Sequence, residues 1–183
     1  MSRKNEHIDS LIEGCLNGSQ GAQLEVYNRY YKAMYNTAFR IVKDSAEAED
    51  VMQESFLSAF TKLQTFKGEV TFGAWLKRIV INNSIYYYRK QVKRSEVSLD
   101  DKLYKVEDND GFVSDHESTK LKAQKVMETM NLLKDNYRIS LTLHLIEGYD
   151  YEEIGEIMDI SYANCRTMIS RAKESLRKKM INA

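Results

Sequence analysis

Along most of this chain apolar residues return every three or four positions, the period of a helix with one buried face. The cleanest case is residues 46–63. There Ala48, Val51, Met52, Phe56, Ala59, Phe60 and Leu63 form one stripe, and Asp50, Gln53, Glu54 and Leu57 lie opposite. Before it, residues 22–43 predict a long aromatic-rich helix with Tyr27, Tyr30, Tyr31, Met34, Ala38, Phe39 and Ile41 available for a core. Residues 8–16 predict a short helix ended by Asn17-Gly18. After a loop at 64–71 that contains Gly68, residues 72–92 predict a helix with a basic end. The periodicity then stops through 95–118 and resumes at 119–130 and 137–147. With 183 residues, no proline and only eight glycines, the expectation is an all-α protein. It comprises two small helical domains, 1–94 and 119–183, joined by a flexible acidic linker at 95–118.

Residues 149–177 read as a helix-turn-helix. Residues 151–158 predict a short helix with Ile154, Ile157 and Met158 on one face. Asp159-Ile160-Ser161 is the turn, and Ser161 is placed to accept a bond from a free backbone N–H of the next helix. That second helix turns Cys165, Met168, Ile169, Ala172 and Leu176 inward and Asn164, Arg166, Thr167, Ser170, Arg171 and Lys173 outward. Small Gly155 is expected where a side chain would hold the helices apart. The outward set holds donors and cations with no acid before Glu174. A helix of this kind fits the major groove, where Arg and Asn bond base edges.

Composition narrows the function classes. Lys and Arg balance Asp and Glu at 27 each, yet their distribution is uneven. Residues 1–94 hold 14 cations against 10 acids, residues 95–118 hold 2 against 8, and residues 119–183 hold 11 against 9. No acid occurs between Glu69 and Glu96, while Lys77, Arg78, Arg89, Lys90, Lys93 and Arg94 all fall there. Two basic patches separated by an acidic strap predict two contacts with a polyanion. The 24-residue strap would reach about 80 Å fully stretched and nearer about 27 Å as a coil. No run of 18 apolar residues exists, and the polar start lacks a secretory apolar core, so a cytoplasmic protein with no membrane insertion is expected. Cys15 and Cys165 lie far apart, which fits a reducing compartment and suggests neither a disulfide nor a metal site. His7, His116 and His144 are scattered, with no glycine-rich phosphate loop and no nucleophile–base grouping. No catalytic residue, cofactor or metal is expected.

At this point a family resemblance can be read from particular residues. Ala48-Glu49-Asp50-Val51-Met52-Gln53-Glu54-Ser55-Phe56 is similar to AED-x-x-QE-x-F. Phe72-Gly73-Ala74-Trp75-Leu76-Lys77-Arg78-Ile79, with Asn82 following, is similar to F-x-x-W-L-x-R-I and its asparagine. Leu133, Tyr137-Arg138, Glu147-Gly148 and Tyr151-Glu152-Glu153-Ile154 stand where a third signature has its fixed positions. In order and spacing these resemble a bacterial sigma factor of the extracytoplasmic-function (ECF) group, in the sigma-70 superfamily. The chain departs from that pattern at Tyr86, near which an acid is usual, at Lys134, where proline is common, and at Cys165, where valine is usual.

The resemblance implies that residues 1–94 bind core RNA polymerase and the minus-ten element. Asp50, Gln53, Glu54 and Leu57 would dock on the clamp helices of the beta-prime subunit. Lys77, Arg78, Arg89 and Lys90 would hold phosphates, and Asn82 would bond a flipped base or its neighbour. Phe72 or Tyr86–Tyr88 could stack bases, while Trp75 is better read as core packing. It also implies that the beta flap is a further polymerase contact, and that residues 119–183 read the minus-thirty-five element through Asn164, Arg166, Thr167, Ser170, Arg171 and Lys173. Such factors are often held inactive by an anti-sigma protein, which makes one a candidate partner. The alternative is a helix-turn-helix regulator that acts without polymerase. It predicts tight duplex binding and no need for the face around Asp50–Glu54.

Overall fold

The computed structural model describes residues 3–95 and 117–181, so the acidic strap expected at 95–118 lies almost wholly outside the described residues. Contacts divide the chain into two units, residues 1–94 and 95–183, and every described element is helical.

The first unit contains α1 (Arg3–Leu16), α2 (Gln20–Val42), α3 (Ser45–Thr61), a 3-10 turn (Leu63–Thr65) and α4 (Phe72–Ser95). Polar caps set the starts. Ser19 accepts from the Ala22 N–H at 3.3 Å and Asp44 from the Glu47 N–H at 2.9 Å, each meeting a donor that a helix end leaves free. Lys43, left-handed at φ 61°, closes α2 with its N–H on the Phe39 carbonyl. Its two-residue link turns α3 back, and α2 packs against both α1 and α3. The core is Val26, Met34, Ala38 and Ile41 of α2, Val51, Met52 and Phe56 of α3, and Leu76, Val80 and Ile81 of α4. The tyrosines of α2 stay at its edge: Tyr27, Tyr30 and Tyr31 are half-buried, as is Phe60 of α3. Tyr27, Tyr31, Tyr35 and Phe39 instead touch in sequence along α2, with ring centroids 5.4 to 6.2 Å apart.

The second unit contains α5 (Glu117–Asn131), α6 (Asp135–Leu141), a wide π turn (Thr142–Ile146), α7 (Tyr151–Met158) and α8 (Tyr162–Ile181). α8 is its spine, packing against α5, α6 and α7. The continuous helix expected over 137–147 is in fact α6 plus the π turn, where the Glu147 N–H reaches the Thr142 carbonyl at 3.0 Å. Residues 138–143 are all buried. They include Arg138, whose Nη2 donates to the Asp135 carboxylate at 2.9 Å and whose Nε donates to the same oxygen at 3.3 Å. A buried guanidinium needs such partners to offset lost hydration.

The helix-turn-helix closes as its caps dictate. Asp150 and Glu153 form a reciprocal capping box at the start of α7, and the Asn164 N–H donates to Ser161 Oγ at 3.3 Å, as the sequence predicts. Ile154 and Ile157 are buried, whereas Met158 and Met168 are only half-buried. Gly155 is small where the turn and the first residue of α8 come close, a Cβ there lying 4.0 Å from the Tyr162 backbone nitrogen. A Cβ there would lie 2.9 Å from the Ile160 carbonyl oxygen, so the small residue clears the turn. Asp159 ends α7 in the left-handed region, φ 51° and ψ 51°, a conformation L side chains adopt at a cost. Asp159→Gly should therefore stabilise this unit by about 0.5–1 kcal/mol. Slower hydrogen exchange of the α7 and α8 amides is the expected readout, and faster exchange would contradict it.

Candidate polymerase and nucleic-acid interfaces

Three helices each bury one stripe and leave a chemically distinct face outside. On α3 the buried stripe is Ala48, Val51, Met52, Ser55, Phe56 and Ala59. Asp50, Gln53, Glu54 and Leu57 are all exposed on the other side, with Leu57 69% exposed. A large apolar residue left in water beside acidic side chains is a face that gains by being covered. Its chemistry suits a partner that is basic and partly apolar.

Polar contacts and aromatic rings fix α4 against this scaffold. Ser55 is wholly buried; its Oγ donates to the Val51 carbonyl at 2.6 Å and accepts from Asn83 Nδ2 at 3.0 Å. Farther along, the Gln91 amide donates to the Glu47 carboxylate. At the start of α4, Phe72 touches Tyr30, Phe66 and Trp75 at centroid distances of 5.4, 5.7 and 5.6 Å. Trp75 is half-buried against Phe66 and Phe72, consistent with packing. Phe72 is only 4% exposed, which corrects the expectation that it could stack on a base: its faces are already occupied. Gly73 sits where a Cβ would meet the Tyr30 ring at 3.0 Å.

The adjacent asparagines divide their work. Asn83 braces α4 on α3, and Asn82 points into solvent with Arg89 and Lys90. Lys77 and Arg78 are half-buried near the start of the helix and hold partners within the fold. Among the tyrosines Tyr86 is 68% exposed, while Tyr87 and Tyr88 are half-buried with partners of their own.

On α8, Cys165, Ile169, Ala172 and Leu176 are buried. Asn164, Arg166, Thr167, Ser170 and Arg171 are exposed, and Lys173 sits half-buried on the flank. A shallow depression runs along this face, lined by Tyr162, Ala163, Arg166, Thr167, Ser170 and Arg171. Thr167 Oγ1 donates to the Ala163 carbonyl at 2.9 Å, so towards a base it offers lone pairs and a methyl group. Burial pushes the Cys165 thiol up, and the Asp150 carboxylate adds to this. The thiol stays protonated and acts as packing.

Three exposed helix faces suited to macromolecules, one of them on the second helix of a helix-turn-helix, fit a DNA-directed binding protein. Comparison with known proteins refines the class. Residues 26–94 match sigma-70 region 2 and residues 123–176 match sigma-70 region 4. The ECF RNA polymerase sigma-E factor of Haemophilus influenzae is 30% identical over 178 residues, covering 93% of this chain and 94% of that one. That of Salmonella typhimurium is 32% identical over 177 residues, covering 93% and 92%. Among solved structures, the sigma factor RpoE of Bartonella quintana, in complex with the anti-sigma factor NepR, aligns with a TM-score of 0.63 at 20% identity. It covers 85% of this chain and 94% of that one. CnrH in complex with the cytosolic domain of CnrY aligns with a TM-score of 0.53 at 22% identity, covering 92% and 94%. These two share the fold.

The chain is thus a transcription initiation factor of the sigma-70 class. Within that class it belongs to the ECF RNA polymerase sigma factors. It directs core RNA polymerase to specific promoters, and a match to region 2 across 26–94 favours this over a regulator working without polymerase. Among the described residues no helix is long and apolar enough to cross a membrane.

The brace between α3 and α4 predicts unequal effects of neighbouring changes. Ser55→Ala should destabilise the first unit by about 1–2 kcal/mol, because the Asn83 amide loses its partner. Asn82→Ala should stay within about 0.5 kcal/mol of the parent. Urea unfolding followed by fluorescence of Trp75, the chain's one tryptophan, measures both. Equal losses would contradict the assignment.

Proposed function

We propose that the two units grip one promoter at two places while α3 rides on the polymerase. Residues 1–94 form the module for core enzyme and the minus-ten element, and residues 119–183 the module for the minus-thirty-five element and the beta flap. Asp50, Gln53, Glu54 and Leu57 meet the clamp helices of the beta-prime subunit, with Leu57 supplying apolar area and the acids selecting basic partners. Arg89, Lys90, Lys77 and Arg78 hold phosphates, and Asn82 bonds an unpaired base. Phosphate contacts set register, and base contacts choose sequence. On α8, Arg166, Asn164, Thr167 and Ser170 read duplex base edges, while Arg171 and Lys173 hold the backbone.

The observation that carries this reading is the one-sided burial of α8. Cys165, Ile169, Ala172 and Leu176 anchor it, and the face bearing Arg166 and Arg171 is free to enter a groove. The strap at 95–118, with 8 acids against 2 cations, ties the modules together and resembles nucleic acid in charge. Binding, and no bond chemistry, is the chain's own contribution, and it acts in the cytoplasm. An anti-sigma protein that covers the α3 face would silence it, since it would compete directly with core enzyme.

A pair of variants separates the two grips. Asp50→Arg with Glu54→Arg should abolish co-purification with core RNA polymerase. Arg166→Ala should leave co-purification intact but weaken holoenzyme binding to promoter duplex by about 1–3 kcal/mol, the range for one base-edge contact. Unchanged core binding by the first variant, or unchanged promoter affinity in the second, would count against the assignment.

A further inference from the structure

Two polar ties join α3 and α4, one between Ser55 and Asn83 and one between Glu47 and Gln91. The order of the pairs shows that the helices run in opposite directions past one another. On each helix the ties stand eight residues apart, about 12 Å at about 1.5 Å per residue. Matching spans fix where α4 lies along α3 as well as how it is turned. The two ties differ in their surroundings. Near Asn83, α4 has Val80, Ile81, Ser84 and Ile85 buried. From residue 86 to residue 93 no side chain of α4 is buried, and this stretch carries Arg89, Lys90 and Lys93, all exposed. The core thus stops short of the cationic end, and Glu47 meets it there through Gln91. The Glu47 carboxylate is delivered from a fixed backbone. It belongs to the first turn of α3, and its N–H donates to the Asp44 carboxylate at 2.9 Å. An ionised acceptor makes the stronger kind of hydrogen bond, and the positive end of a helix favours the charge.

We propose that Glu47 is a positioning residue for promoter binding: through Gln91 it holds the cationic end of α4 where Arg89, Lys90 and Lys93 meet strand phosphates. This inference rests on the reading of α4 as the minus-ten helix and adds to it a residue that never touches DNA. Glu47 stands one turn before Asp50 on α3. The helix assigned to polymerase is therefore also the one that places the cations. Docked on core enzyme, the chain presents Arg89, Lys90 and Lys93 at a set distance from its docking face, and the strand need not order them. Sign separates this role from plain electrostatics. An acid close to a phosphate-binding face repels DNA, so removing its charge alone would tighten binding. Removing an acid that positions the cations weakens it.

The test uses Glu47→Ala, Gln91→Ala and the exchanged pair Glu47→Gln with Gln91→Glu, each assembled as full-length chain with core polymerase. The probe is a fluorescein-labelled single strand bearing the non-template minus-ten sequence of a promoter mapped with the parent holoenzyme. Each alanine variant should bind it about three- to tenfold more weakly, the range for one hydrogen bond. The fall of log affinity with log salt should also flatten, by about 0.7 for each phosphate contact released. The exchanged pair moves the charge only across one hydrogen bond and keeps the tie, so it should return to within about twofold of the parent. Core binding should be unchanged in all three. The proposal is overturned if Glu47→Ala binds the strand as tightly as the parent or more tightly, or more weakly with the salt slope unchanged. It is also overturned if the exchange fails to restore binding, which would mean that the two side chains act separately. Loss of core binding along with strand binding would overturn it too, by showing general damage to α3. Failure of the parent holoenzyme itself to bind the strand would instead remove the minus-ten reading of α4, and this inference with it.

Discussion

A helix that buries one stripe commits the rest of its surface to water, and in this chain that division decides what each module can offer a partner. Burying Val51, Met52, Phe56 and Ala59 pins α3 and leaves its acids and Leu57 outside. Burying Leu76, Val80, Ile81 and Ile85 does the same for the cationic side of α4, and burying Cys165, Ile169, Ala172 and Leu176 for the donor face of α8. Each fully buried aliphatic side chain contributes about 1.5–3 kcal/mol. Rotating any of these helices about its axis would thus cost more than an exposed contact could return. The faces are preorganised, and a partner need not order them.

Polar details refine what burial begins. The Ser55 hydroxyl, wholly enclosed, receives the Asn83 amide and settles how α4 is turned against α3. That leaves Asn82, one residue earlier, on the outside. In the second unit the capping box of Asp150 and Glu153, the left-handed Asp159 and the Ser161 cap set the angle at which α8 leaves α7. Gly155 allows the turn to close by keeping a Cβ away from the Ile160 carbonyl. Two modules matching sigma-70 regions 2 and 4 therefore expose their candidate contact faces by the same device, on helices whose opposite sides are core.

Much of this was legible from residue order because amphipathic helices announce themselves. The stripes of α3 and α8 follow directly from spacing, as do the Ser161 cap and the exposed sets at Asp50–Leu57 and Asn164–Arg171. What stayed hidden has physical causes. Residues 138–143 are all buried, and Arg138, Ser140 and Thr142 alternate there with Ile139, Leu141 and Leu143, so no one-sided stripe marks the helix, and the widening at Thr142–Ile146 leaves no compositional trace. The burial of Arg138 depends on the carboxylate of Asp135 three residues away, a pairing that charge alone does not distinguish from a surface one. Phe72 and Tyr86 are equally aromatic in sequence. Only the packing of Tyr30, Phe66 and Trp75 shows which ring is already covered.

The most direct test of the account is transcription itself. Purified chain and core RNA polymerase, mixed with genomic DNA fragments, should yield transcripts whose 5′ ends cluster at discrete starts. Each start should lie downstream of the same two-part sequence. Transcripts that appear equally without the chain, or no defined starts with it, would contradict the account.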